Sequence, residues 1–171
     1  MSSAITPKRK ARSTAKVVAL QPLIGKEGSE AQLTWAILGG GNSLVEEPAS
    51  ALDYVALSRK GLQKKSLATL AAVMSIPMKE MAVLLNLSYK TLGRKRNEDT
   101  MDSLSSSLAI EMAQVVARGL SVFGDQDRLR NWLQRPNHSL KGESPLMLMD
   151  SPTGIRLVAS ILTRIEEGIL T

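Results

Sequence analysis

From residue 47 onward, apolar side chains recur every three or four positions, the period of an amphipathic helix. Ala51, Leu52, Val55 and Leu57 form the first row, opened by Pro48 and stopped by Gly61. Ser66, Leu67, Leu70, Ala71 and Met74 form the second, which ends before Pro77. Residues 78–85 predict a short third helix, and a fourth, capped by Ser88, runs to about Arg96. A polar break over residues 97–107, rich in Ser and Asp, separates these from a longer row of Ala109, Met112, Val116, Leu120 and Phe123. Gly124 ends that helix. Asp125 caps the next, which buries Leu129, Trp132 and Leu133 until Pro136 stops it. A loop over residues 137–145 leads to a helical turn at 146–149. Ser151-Pro152 then opens a last helix with Ile155, Val158, Ile161, Leu162 and Ile165 facing inward. No strand is predicted after residue 47.

The chain before residue 47 reads differently. Residues 1–16 are small, polar and basic, and are expected to be disordered when unbound. Residues 17–25 are apolar but interrupted by Pro22, and residues 31–38 fit a short helix or a strand equally well. Gly39-Gly40-Gly41-Asn42 breaks the chain and marks the expected edge of the ordered core. The pattern thus predicts an all-α protein in three parts. These are a basic, largely disordered arm and linker (1–46), a helical domain (47–107) and a smaller helical domain (108–171).

Charge sharpens this division. Residues 1–26 carry +6, residues 27–58 carry −5, residues 59–96 carry +8 and residues 97–171 carry −3. The first block reads as a solvated tail. The block at 59–96 lies on patterned helices, and clustered positive charge on folded structure is the footprint of a phosphate-bearing partner.

Within that block, residues 78–95 fit a helix-turn-helix. Ala82 is small where the two helices must touch, and Asn86 stands in the turn, where a positive φ is needed. Met81, Leu85, Leu87 and Leu92 form the shared seam. The second helix then offers Ser88, Tyr89, Lys90, Thr91, Arg94, Lys95 and Arg96 as candidate DNA-binding residues. The hydroxyls suit phosphates, and Lys90 and Arg94 suit base edges in the major groove. A helical hairpin with a solvated basic face is the plainer alternative, and Gly93 weakens the helix.

Composition excludes several other functions. With no Cys and one His, His138, neither a disulfide nor a protein-built zinc site is expected. No nucleophile–base pair is visible, and the Gly39–Gly41 run lacks the Lys-Ser/Thr of a phosphate-binding loop. No catalytic residue, cofactor or metal is therefore expected. No apolar run is long enough for a membrane span, and a cytoplasmic location is expected.

The C-terminal motifs carry a family resemblance. Ser88 to Lys95 resembles the S-x-x-T-L-x-R-K recognition helix of the Xre/MbcA/ParS antitoxins, and Phe123-Gly124-Asp125 resembles their FGD helix end. Trp132-Leu133, Pro136-Asn137, Leu140, Gly142 and Pro145-Leu146 are similar to their WL-x-x-PN-x-x-L-x-G-x-x-PL segment. Gly154 to Gly168 resembles their closing helix, G-x-x-x-V-x-x-x-L-x-R-I-E-x-G. The resemblance spans about residues 50–171. Ser151 departs from the commoner Thr, and Lys141 from a small residue.

The resemblance implies an Xre-like helix-turn-helix domain followed by a toxin-binding domain. It implies a type II antitoxin, itself no enzyme, that inhibits a RES-domain toxin consuming NAD⁺ or transferring ADP-ribose. It further implies a homodimer that represses its own operon at an operator. A stand-alone helix-turn-helix regulator is the alternative. Arg164 and Glu166 are either a surface pair or toxin contacts. Ile169, Leu170 and Thr171 are candidate toxin-binding residues, with the α-carboxylate of Thr171 as a plug for the dinucleotide site.

Overall fold

The computed structural model describes residues 23–24, 29–40 and 47–169. The arm before residue 23, Leu170 and Thr171 lie outside these. Among the described residues, the helices are α1 (Glu30–Ile37), α2 (Ala51–Lys60), α3 (Lys64–Met74), α4 (Met78–Leu84), α5 (Tyr89–Arg94), α6 (Ser103–Phe123), α7 (Gln126–Gln134), α8 (Pro145–Leu148) and α9 (Pro152–Glu166). The only extended pairing described is an isolated antiparallel bridge between Gln63 and Thr100.

The fold is built around α6. Helices α1, α2, α3, α7 and α9 all pack on it. Twelve of its 21 residues are buried, from Ser105 to Leu120. A helix that is apolar nearly all round must be surrounded. Ala109, Ala113, Ala117 and Gly119 keep it thin enough for its neighbours to approach, and Leu129 of α7 lies against Gly119.

Three expectations are corrected. Residues 29–40, assigned to the arm, include a core helix. Ser29 and Gln32 form a reciprocal capping box that starts α1, and Leu33, Ile37 and Leu38 are buried against the core. The ordered core therefore begins well before Gly39. The polar break is also shorter than predicted, because α6 starts at Ser103. Ser106 is buried for a reason that periodicity does not report: the Leu62 N–H donates to its Oγ at 2.9 Å, which satisfies both groups. Finally, α2 buries Leu57 as expected but turns Leu52 (78% exposed) and Val55 (43%) outward and buries Ser58 in their place. The expected division at 107/108 falls inside α6, and one continuous hydrophobic core contains residues from both sides of it.

Asp102 caps α6. Its carboxylate accepts the Ser105 N–H and the Ser105 hydroxyl, each at 2.8 Å. The bond from the Ser105 backbone is the largest cause holding its pKa below the ordinary 3.8, and partial desolvation opposes it. A carboxyl with a lowered folded pKa takes up its proton more readily in the unfolded chain. Its contribution is complete above about pH 4 and is lost as pH falls through the depressed folded value. Asp102→Ala should lower the unfolding free energy by about 1 kcal/mol at neutral pH in urea denaturation. The gap to wild type should narrow below about pH 4. A gap of equal size in acid would show that the cap does not act through its charge.

Candidate functional site

Two regions hold the residues singled out in the sequence. The first is the α4–α5 pair. Ala82 is fully buried where the helices meet, and Met81, Leu85 and Leu92 fill the seam. Asn86 has φ +54, the left-handed turn that its residue type suits. Ser88 stands at the N-cap of α5, but its side chain makes no cap bond. Ser88, Tyr89, Lys90, Thr91 and Arg94 are exposed. Lys90 and Arg94 make no ion pair among the described residues.

Lys95 and Arg96 are engaged in holding α5 in place. Lys95 Nζ donates to the Thr100 carbonyl at 2.8 Å, and the Lys95 carbonyl accepts Lys64 Nζ at 2.6 Å. Arg96 pairs with Asp99 at 3.2 Å. Asp99 accepts the Arg96 N–H at 2.8 Å, the largest cause of its lowered pKa. The same loop starts α3, whose N-cap residue Gln63 gives no side-chain bond. The Lys64 and Lys65 amides donate instead to the Asp99 and Asn97 carbonyls, at 3.0 and 3.1 Å. The basic face of α5 is thus mounted on a fixed frame.

The second region is the C-terminal segment. Asn137 organises its loop: Oδ1 accepts the Ser139 N–H at 2.8 Å, and the carbonyl accepts the Leu140 and Gly142 amides, both at 3.0 Å. Lys141 and Gly142 follow with φ of +55 and +88, two left-handed residues in succession that return the chain toward α8. Leu140 is buried beneath the loop. Trp132, expected in the core, is half-buried instead and lies 5.5 Å from the Phe123 ring. Ser151 Oγ accepts the Gly154 N–H at 3.2 Å and caps α9.

On α9, Arg164 is exposed. Glu166 does not pair with it, and instead accepts Arg118 Nη2 at 2.9 Å, tying the end of α9 to α6. Ile169 lies beyond Gly168 and is 53% exposed. Two further ties join the C-terminal segment to the rest, and neither was foreseen. Asn86 Nδ2 donates to the Asp150 carbonyl at 3.0 Å, and Gln126 Nε2 donates to the buried Val73 carbonyl at 2.7 Å. Asn86 signals a turn in the sequence, but nothing there signals where its amide goes.

Between α1, α2, α6 and α9 runs an open groove of about 580 Å³, with Tyr54, Glu111, Gln114, Arg118, Ile155 and Arg156 among its walls. Burial is the main cause raising the Tyr54 pKa, aided by the Glu47 charge and opposed by a hydrogen bond with Thr34. A second groove, of about 590 Å³, lies along α7.

Residues 118–168 match the antitoxin Xre/MbcA/ParS C-terminal toxin-binding domain. The match supports an antitoxin role in a toxin–antitoxin system, a non-enzymatic regulatory protein and a toxin as partner. It covers the end of α6, α7, the Asn137 loop, α8 and α9, and does not extend to α4 and α5. No curated protein matches the chain. Among the described residues, no single helix is long and apolar enough to cross a membrane.

Two glycines give opposite expectations. A Cβ on Gly154 would run into the Leu148 carbonyl, a backbone atom that cannot yield. Gly93, inside α5, has open space around the same position. Gly154→Ala should destabilise by about 2–3 kcal/mol, whereas Gly93→Ala should stabilise by up to about 1 kcal/mol. Thermal and urea unfolding of both variants measure this. Equal effects would mean that the α8–α9 corner is not packed as described.

Proposed function

We propose that this chain is the antitoxin of a type II pair. Its C-terminal segment binds and inhibits a RES-domain toxin that consumes NAD⁺ or transfers ADP-ribose. Its α4–α5 pair, acting in a dimer, binds operator DNA and represses the chain's own operon. The observation that carries the first half is the match of residues 118–168 to a toxin-binding domain. The RES assignment rests on the motif resemblance, from Trp132-Leu133 to Arg164-Ile165-Glu166.

Neutralisation is assigned to the end of α9. Arg164 and Ile169 are exposed there, while the Arg118–Glu166 pair holds the helix end in position. Both partners are partly exposed, so the pair contributes under about 1 kcal/mol and serves placement more than stability. An inhibitor of a dinucleotide site need only fill it. Residues 169–171, which follow Gly168 in the sequence, are the segment assigned to that task. Deleting residues 169–171 should leave the complex intact in co-purification with a cognate RES-domain toxin, while NAD⁺ consumption returns. Full inhibition by the truncated chain would move the inhibitory contact onto the face of α9.

The DNA-binding half is supported by the exposed Lys90 and Arg94, without an ion pair among the described residues, on a short helix anchored at its C-terminal end. Each cation on a phosphate releases about one counterion, so affinity falls with salt in proportion to the contacts made. Lys90→Ala/Arg94→Ala should weaken operator binding and flatten the slope of log K against log salt by up to about 2. Fluorescence anisotropy at several salt concentrations measures both. An unchanged slope would remove α5 from the interface.

A further inference from the structure

The segment after residue 97 is acidic overall, yet residues 128–142 hold four bases and no acid. Arg130 pairs with Asp127 at 3.2 Å, but the guanidinium groups of Arg128 and Arg135 make no ion pair among the described residues. Both side chains are exposed. Arg128, Asn131 and Trp132 are spaced i, i+3 and i+4 on one face of α7, and Arg135 caps its end, its N–H donating to the Asn131 carbonyl at 3.2 Å. They line the groove of about 590 Å³, whose far wall is Phe123, Pro136, Asn137 and His138. Helical rise sets the backbones of Arg128 and Arg135 about 10 Å apart, with the half-buried Trp132 between them in sequence. Asn137, whose Oδ1 accepts the Ser139 N–H, also lines the groove.

We propose that this groove is a docking surface for an acidic segment of the toxin. The segment would carry two carboxylates, one for Arg128 and one for Arg135, with an apolar side chain between them against Trp132 and Phe123. The inference rests on the toxin-binding reading and adds a second contact, away from the end of α9. Three observations favour a protein partner. The whole lining falls inside the matched residues 118–168. The groove is open rather than enclosed. The buried unpaired polar atoms, on Gln63, Arg118 and Gln126, lie elsewhere, so the groove has no such group to grip a small ligand. Charge complementarity across such a rim speeds association and selects the partner. An indole in a partly dry groove is the usual anchor of an interface.

The test compares the full-length chain with Arg128→Glu/Arg135→Glu, and with Arg59→Glu/Lys60→Glu as a remote control of equal charge change. Binding to the cognate toxin is measured by calorimetry or surface plasmon resonance, with thermal unfolding as the check on folding. The groove variant should lose about tenfold or more in affinity, and the loss should shrink as salt rises from about 50 to 300 mM. The control should stay within about twofold of wild type. Should the reversal disturb folding, Arg128→Gln/Arg135→Gln should still lose about threefold. A groove variant that binds like wild type overturns the inference and leaves the antitoxin reading standing. A wild-type chain that binds no toxin overturns both. A groove variant that keeps its toxin affinity but loses operator affinity also overturns it, and makes the groove a nucleic-acid contact.

Discussion

Everything in this molecule leans on α6. Its buried residues face α1 and α2 on the N-terminal side of the sequence and α7 and α9 on the other, so neither group has a core of its own. Hydrophobic burial scales with the area removed from water. A 21-residue helix with twelve buried residues contributes a large share of that area. The small side chains at 109, 113, 117 and 119 let four neighbours reach it at once. The caps at Asp102 and Gly124 fix where it begins and ends.

The legible parts of the fold were those set by local chemistry. Asn86 in the left-handed turn, Gly61 and Gly124 at helix ends, and the caps at Asp125 and Ser151 all follow from a few adjacent residues. What escaped was set at a distance. The row 31–38 is too short for its period to choose between helix and strand. The Ser29–Gln32 capping box, visible in the sequence, was the cue that would have decided it. The Ser-rich start of α6 looks like a break until Ser106 is seen to accept the Leu62 amide, 44 residues away. Leu52 and Val55 look like core, but the face of α2 that meets α6 is the one with Tyr54, Leu57 and Ser58.

The candidate sites divide in the same way. Which side chains on α5 are cationic is plain from the sequence. Which of them are committed to holding the helix is not, since Lys95 and Arg96 turn back to the 97–101 loop while Lys90 and Arg94 stay free. At the other end, Glu166 belongs to Arg118 rather than to its neighbour Arg164. The basic stripe on α7 is hidden in any net-charge count, because acids elsewhere in the segment outweigh it.

The match to a toxin-binding domain begins at Arg118, partway along α6, so the recognisable module and the rest of the chain share one unbroken helix. A helix transmits angle as well as position. One residue inserted in its middle would turn everything beyond it by about 100° and advance it about 1.5 Å. The phase of α6 therefore sets the direction in which the matched segment faces relative to α4 and α5. Any chimera that joins this module to another N-terminal part must keep that phase, or the matched segment and the α4–α5 pair will point in unrelated directions.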